Sequence, residues 1–203
     1  MTNESELLAL IWLWGAMMAV MMLPSFLPVL VLFHQISRRH QPARVGVSFV
    51  FACSYATVWF FFSVGMGWLH WYLMQLYMGT ISSRMTSLLF LLAGVYQFST
   101  WKLGCIKGCG TPFGFLLNDW RPGYHGAGRL GWRYGLFCLG CCWALMLLMI
   151  GVGMKSVWGM LLITIMVTVE KLLPVQPVII TRIHGSLLLL WAGVLLIGPF
   201  ERS

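Results

Sequence analysis

The chain has 203 residues, 60% of them apolar and 9% charged, with a mean hydropathy of +0.85 and a net charge of +8. A soluble domain carries about a quarter charged residues, so the composition argues for an all-α polytopic integral membrane protein rather than a water-soluble one. The positive excess then reads as membrane topology. No basic run with interleaved aromatics and no Gly-rich phosphate loop is present, which excludes a nucleic-acid or nucleotide partner.

The polar start from Met1 to Glu6 lacks the basic region of a cleavable signal peptide, so the first apolar segment is expected to be retained as a span. It runs from Leu7 to Phe33. Within it, Met17/Met21 and Met18/Met22 form two adjacent i, i+4 pairs. Pro24 and Pro28 follow and free backbone carbonyls from their helical partners. A second segment, Val45 to Met66, carries Cys53. The aromatic stretch from Gly67 to Met78 would overfill that span and reads as interfacial. A third segment runs from Thr86 to Ile106. Its Tyr96 and Gln97 are polar groups expected to face the protein interior; Gln97 is read first as an interhelical hydrogen-bonding group, with support of Cys105 as the alternative. The sequence Cys105-Ile-Lys-Gly-Cys109 closes the segment.

Gly and Pro then predict a polar loop from Lys107 to Arg133, with Asp119 and Arg121 paired and His125 read first as a surface residue, the alternative being an approach to the cysteines. A fourth segment, Tyr134 to Met154, opens on Cys138-Leu-Gly-Cys141-Cys142-Trp143. Cys138, Cys142, Met146 and Met149 make one sulfur stripe at helical spacing. The fifth segment, Val157 to Leu173, ends near Glu170-Lys171. That carboxylate needs a partner in the membrane, and an Arg from another segment suits as well as its neighbour Lys171. The sixth runs from Ile183 to Gly198. A span needs roughly 17–25 residues, so the fifth and sixth segments are short but acceptable, and the six make a bundle of about six spans in a single domain covering residues 1–203.

Of the 13 Lys and Arg residues, 10 fall in loops on one side and 3 on the other. The positive-inside rule places both termini in the periplasm and the 107–133 loop in the cytoplasm. The cysteines then open onto the reducing side, where disulfides are rare. Two short cysteine clusters facing each other across one loop suit a soft metal ion or thiol redox chemistry. Thiolate and thioether donors with no clustered His or carboxylate put Cu(I) ahead of Zn(II). The candidate ligands are Cys105, Cys109, Cys138, Cys141 and Cys142, then Met17, Met18, Met21, Met22, Met146 and Met149. No Ser/His/Asp or paired-carboxylate arrangement suggests hydrolysis, so the chain reads as a metal handler before an enzyme.

The pieces Trp14-x-x-Met17-Met18 with Pro24, Gly94-x-Tyr96-Gln97 with Lys102, Cys105-x3-Cys109 with Pro112-Phe113, Gly135-x-x-Cys138-Leu-Gly-Cys141-Cys142-Trp143 with Met146, and Glu170-Lys171 together resemble a bacterial family. Its members are predicted metal-binding integral membrane proteins, sometimes labelled copper chaperone-like. The resemblance covers nearly the whole chain. It implies a membrane protein with a soft-metal site. Beside it, the residues themselves are read as those of a bacterial inner-membrane protein for copper handling, delivery or transport, with a copper-receiving membrane or periplasmic protein as the expected partner. Two other readings of the residues stand beside it: a membrane thiol oxidoreductase using Cys138 and Cys141, and a non-catalytic assembly subunit whose sulfur residues only pack.

Overall fold

The computed structural model describes residues 3–40, 44–76, 83–110, 112–153, 156–172 and 177–197, and they are all-α. The helices are α1 (Asn3–His40), α2 (Arg44–Leu76), α3 (Ser83–Gln97), α4 (Thr100–Gly110), α5 (Pro112–Asn118), α6 (Gly123–Val152), α7 (Val157–Leu172) and α8 (Pro177–Ile197). Four of them contain a stretch long and apolar enough to cross a membrane: Glu4–Ser37, Val45–Leu76, Gly123–Val152 and Val178–Ile197. The pair α3 and α4, bent by 68°, is a fifth if taken as one span. With 16 residues, α7 reaches only about 24 Å, short of the roughly 30 Å of a hydrocarbon core.

Besides a longer α1 and an earlier start of α8 than expected, three differences from the reading of the sequence bear on the site. First, α2 continues unbroken from the second apolar segment through Trp68, His70 and Trp71 to Leu76, because nothing in that aromatic stretch breaks an i→i−4 ladder. Second, the third segment is not one helix. The chain turns at Phe98-Ser99, where the Phe98 and Ser99 amides bond back to the Val95 and Tyr96 carbonyls, and the Ser99 hydroxyl accepts the Trp101 N–H at 3.2 Å. Ser99 thus caps a new helix. Third, the segment expected to be a loop is largely helical. Residues 107–110 belong to α4, α5 follows, and α6 starts at Gly123 just after Pro122 in extended conformation. Its many glycines lower helix propensity by about 1 kcal/mol each, but they let other helices approach closely. A Cβ on Gly131 would stand 2.3 Å from the Phe51 carbonyl oxygen, and one on Gly135 would stand 2.9 Å from Val58. Ala127, Gly131 and Gly135, four residues apart, form the small-residue seam on which α2 and α6 pack.

Contacts along the chain fix the directions of the helices. Phe33 stacks on Phe51 at 4.4 Å and Phe26 on Tyr55 at 4.1 Å, while Trp14 bonds His70, so α1 and α2 are antiparallel. The Phe51–Gly131 and Val58–Gly135 approaches make α2 and α6 parallel. Against α8, α3 is antiparallel, with Ser87 Oγ donating to the Ala192 carbonyl at 2.9 Å and Gly94 against Leu189. The short α5 covers one end of the bundle: Leu116 is fully buried and Phe115 packs on Tyr134 and Phe137.

Candidate metal centre

The break between α3 and α4 lets α4 lie alongside α6 and carry its cysteines inward. Cys109, the penultimate residue of α4, is buried within hydrogen-bonding reach of Cys138 and Cys141. Cys105, one turn earlier, is half-buried and lies against Gly140, where an added Cβ would stand 2.7 Å from its sulfur. On α6, Cys138, Cys141 and Cys142 are all buried. The Cys141 and Cys142 thiols donate to the Cys138 carbonyl at 3.0 and 2.9 Å. The two clusters therefore converge on one side of α6. Cys53 is exposed and stands apart. Because α6 starts at Gly123 and not near Tyr134, Cys138 occupies the middle of the helix and not its mouth.

Beside Cys138 lies a group that sequence reasoning left as a loop charge. The Lys171 ammonium, on α7, donates to Cys138 Sγ at 2.9 Å, to Ser25 Oγ at 3.4 Å and to Met22 Sδ at 3.6 Å. Tyr55 shares a hydrogen bond with the same Cys138 sulfur at 3.3 Å. Lys171 is only 6% exposed and meets no carboxylate among the described residues. A buried ammonium needs a counter-charge, and Cys138 is the partner placed to supply one. The signal was available: a Lys at the edge of an apolar segment is either a loop anchor or a buried functional group, and spacing alone does not separate the two.

Met17, Met18, Met21 and Met22 are all buried, as are Met146 and Met149, in one continuous core with the cysteines. Met22 links the methionines of α1 to the thiols through the Lys171 contact. The others stand farther along the helices. Among the described residues, no three Cys, His, Asp or Glu side chains already enclose one point fit for a metal ion. As they stand, the thiols are engaged in hydrogen bonds with one another and with backbone.

A second buried polar cluster adjoins the first. Glu170 bonds Lys102 Nζ at 2.8 Å and His184 Nδ1 at 2.8 Å, and Lys102 also donates to Gln97 Oε1. The carboxylate's partner is thus Lys102 with His184, not an Arg. Gln97 serves that lysine and not Cys105. Tyr96 donates to the Gly140 carbonyl at 2.5 Å. Asp119 pairs with Arg133 at 2.6 Å rather than with Arg121, since α6 brings Arg133 alongside the end of α5. His125 is exposed.

A family model described as PpoB2, copper chaperone, matches residues 11–195. No curated protein and no solved structure matches the chain.

Proposed function

The chain belongs to the PpoB2 copper chaperone family, and from that premise we propose that it is an integral protein of the bacterial inner membrane that holds Cu(I) on its α4–α6 thiols and passes it to a copper-receiving membrane or periplasmic protein. The spans are the four long helices, the bent α3–α4 pair and the short α7, with both termini periplasmic. Copper is cargo, and the residues that hold it are Cys109, Cys138, Cys141 and Cys142, with Cys105 at the edge.

The observation that carries this reading is the Lys171 ammonium against Cys138. Two thiolates on one Cu(I) leave a net charge of −1, which is costly in an apolar interior. An ammonium already seated 2.9 Å from one sulfur offsets that charge. Loading asks little of the structure. Cys141 and Cys142 must turn from the Cys138 carbonyl, breaking one hydrogen bond each at about 1 kcal/mol. The thiol protons leave as the sulfurs become ligands. Thiolates alone would also hold Zn(II); the buried thioethers of the same core favour Cu(I). The buried methionines of α1 and α6 form the way in or out. A broken helix beside an interior ion position is a recurring arrangement in membrane transport proteins.

The purified, reduced protein is expected to bind Cu(I) in preference to Zn(II). Cys138→Ser combined with Cys142→Ser should abolish tight binding. Met17→Leu with Met21→Leu should weaken it or slow exchange while the fold persists, since Leu conserves volume. Unchanged copper stoichiometry in the double cysteine variant would place the site elsewhere. A wild-type protein that binds no metal but cycles a Cys138–Cys141 disulfide with quinone is an oxidoreductase instead.

A further inference from the structure

The methionine row has two ends. One is Met22 beside the thiols. At the other stands His70, 8% exposed, its Nδ1 accepting the indole N–H of the fully buried Trp14 at 3.3 Å. Met66, buried, lies one turn before His70 on the same face of α2. The parallel register of α2 and α6 sets Phe51 level with Gly131 and Val58 level with Gly135. Carried along the two helices, it sets Met66 level with residues 143–146 and His70 level with residues 147–150. Met146 and Met149, both fully buried, therefore stand at the depth of Met66 and of His70 with Trp14, respectively. By helix rise this level is roughly 16 Å from Cys138.

We infer that Met66 and His70, with Met146 and Met149, form a second Cu(I) position at the end of the bundle opposite the thiols, gated by the Trp14–His70 hydrogen bond. This rests on the copper reading above. Three other imidazoles have different surroundings: His34 bonds Ser48, His184 bonds Glu170, and His125 is exposed. Only one His70 nitrogen has a partner among the described residues. His70 and Met66 put an imidazole and a thioether on one face of α2, a pair of donors level with the buried thioethers of α6. Imidazole and thioethers are neutral donors that suit Cu(I) and bind it less tightly than thiolates, which fits a position of exchange. Copper at His70 Nδ1 displaces the indole N–H. Copper at Nε2 moves the ring proton to Nδ1, where it faces that same N–H. Either way, loading and the Trp14–His70 hydrogen bond exclude one another. Once released, the indole face is left beside a monovalent cation, an attractive contact.

The test is a Cu(I) titration of the full chain in lipid nanodiscs against a competing Cu(I) chelator, followed by X-ray absorption. The expected wild-type result is two equivalents, the weaker one showing imidazole scattering. His70→Leu should remove that scattering and the second equivalent while keeping the first. Met66→Leu, which conserves volume, should weaken only the second and covers the case in which His70→Leu fails to fold. Cys138→Ser with Cys142→Ser should remove the first equivalent and keep the second with its imidazole signature. Imidazole scattering that persists in His70→Leu, or a single equivalent lost entirely with the cysteines, overturns the second position and leaves the thiol reading intact. A wild-type protein that takes up no Cu(I) overturns both.

Discussion

Glu170 shows how a single side chain organises the interior. Its two oxygens are divided between Lys102 and His184 at 2.8 Å each, and the carboxylate and Lys102 are 2% and 0% exposed. Burying such a pair is close to neutral, but removing one member leaves a charge with no partner and costs about 3–5 kcal/mol. Glu170→Gln should therefore lower the melting temperature of the detergent-solubilised protein strongly, whereas Glu170→Gln with Lys102→Met should recover most of the loss. A single variant as stable as wild type would show that the ion pair does not form. That Glu170 needed a partner was legible from its apolar surroundings. Which residue met it was not, because Lys102 precedes Glu170 by 68 positions and reads locally as a loop cation.

Among the elements, α6 diverged most from its sequence. Glycine content predicted a loop up to Arg133, yet α6 begins at Gly123 and runs 30 residues. Propensity is a local quantity, while the value of Gly131 and Gly135 lies in a contact with α2 that no local pattern encodes. Gly131→Ala would favour α6 as an isolated helix but places a methyl group 2.3 Å from the Phe51 carbonyl oxygen. Overpacking of this kind costs about 1–3 kcal/mol. The variant is expected to be less stable by a thermal melt and to lose contact between α2 and α6, read as faster cross-linker access to a cysteine placed on that seam. Equal or greater stability would mean that the two helices sit farther apart. The same extension of α6 moves Cys138 from a helix mouth to mid-helix, which changes the site from a boundary cluster to an interior one.

At the scale of the whole molecule, the outer surface is apolar: Trp12, Phe49, Phe60, Trp158 and Ile197 are each more than 60% exposed. Water does not tolerate contiguous surfaces of this kind, and lipid does. Two of the ten basic residues credited to one side, Lys102 and Lys171, prove to be interior. Removing them leaves eight against three, so the asymmetry on which the proposed orientation rests survives. A cysteine-free reporter fused at Ser203 should therefore report the periplasm. A cytoplasmic signal would overturn the orientation or the count of spans, and would move the thiols relative to the reducing compartment.

The sequence by itself determined the all-α class, the copper chaperone family and the residues that carry sulfur. These follow from composition, helical periodicity and short motifs, which are properties of neighbours along the chain. The tertiary structure decided the rest. The helix break at Phe98-Ser99 lets α4 bring Cys109 to Cys138, the α2–α6 seam sets the depth of the thiols, and the packing of α7 puts an ammonium beside one sulfur and a carboxylate against Lys102. Each is a contact between segments distant in sequence, selected because a buried charge or a buried polar group has to find its partner wherever the fold supplies one.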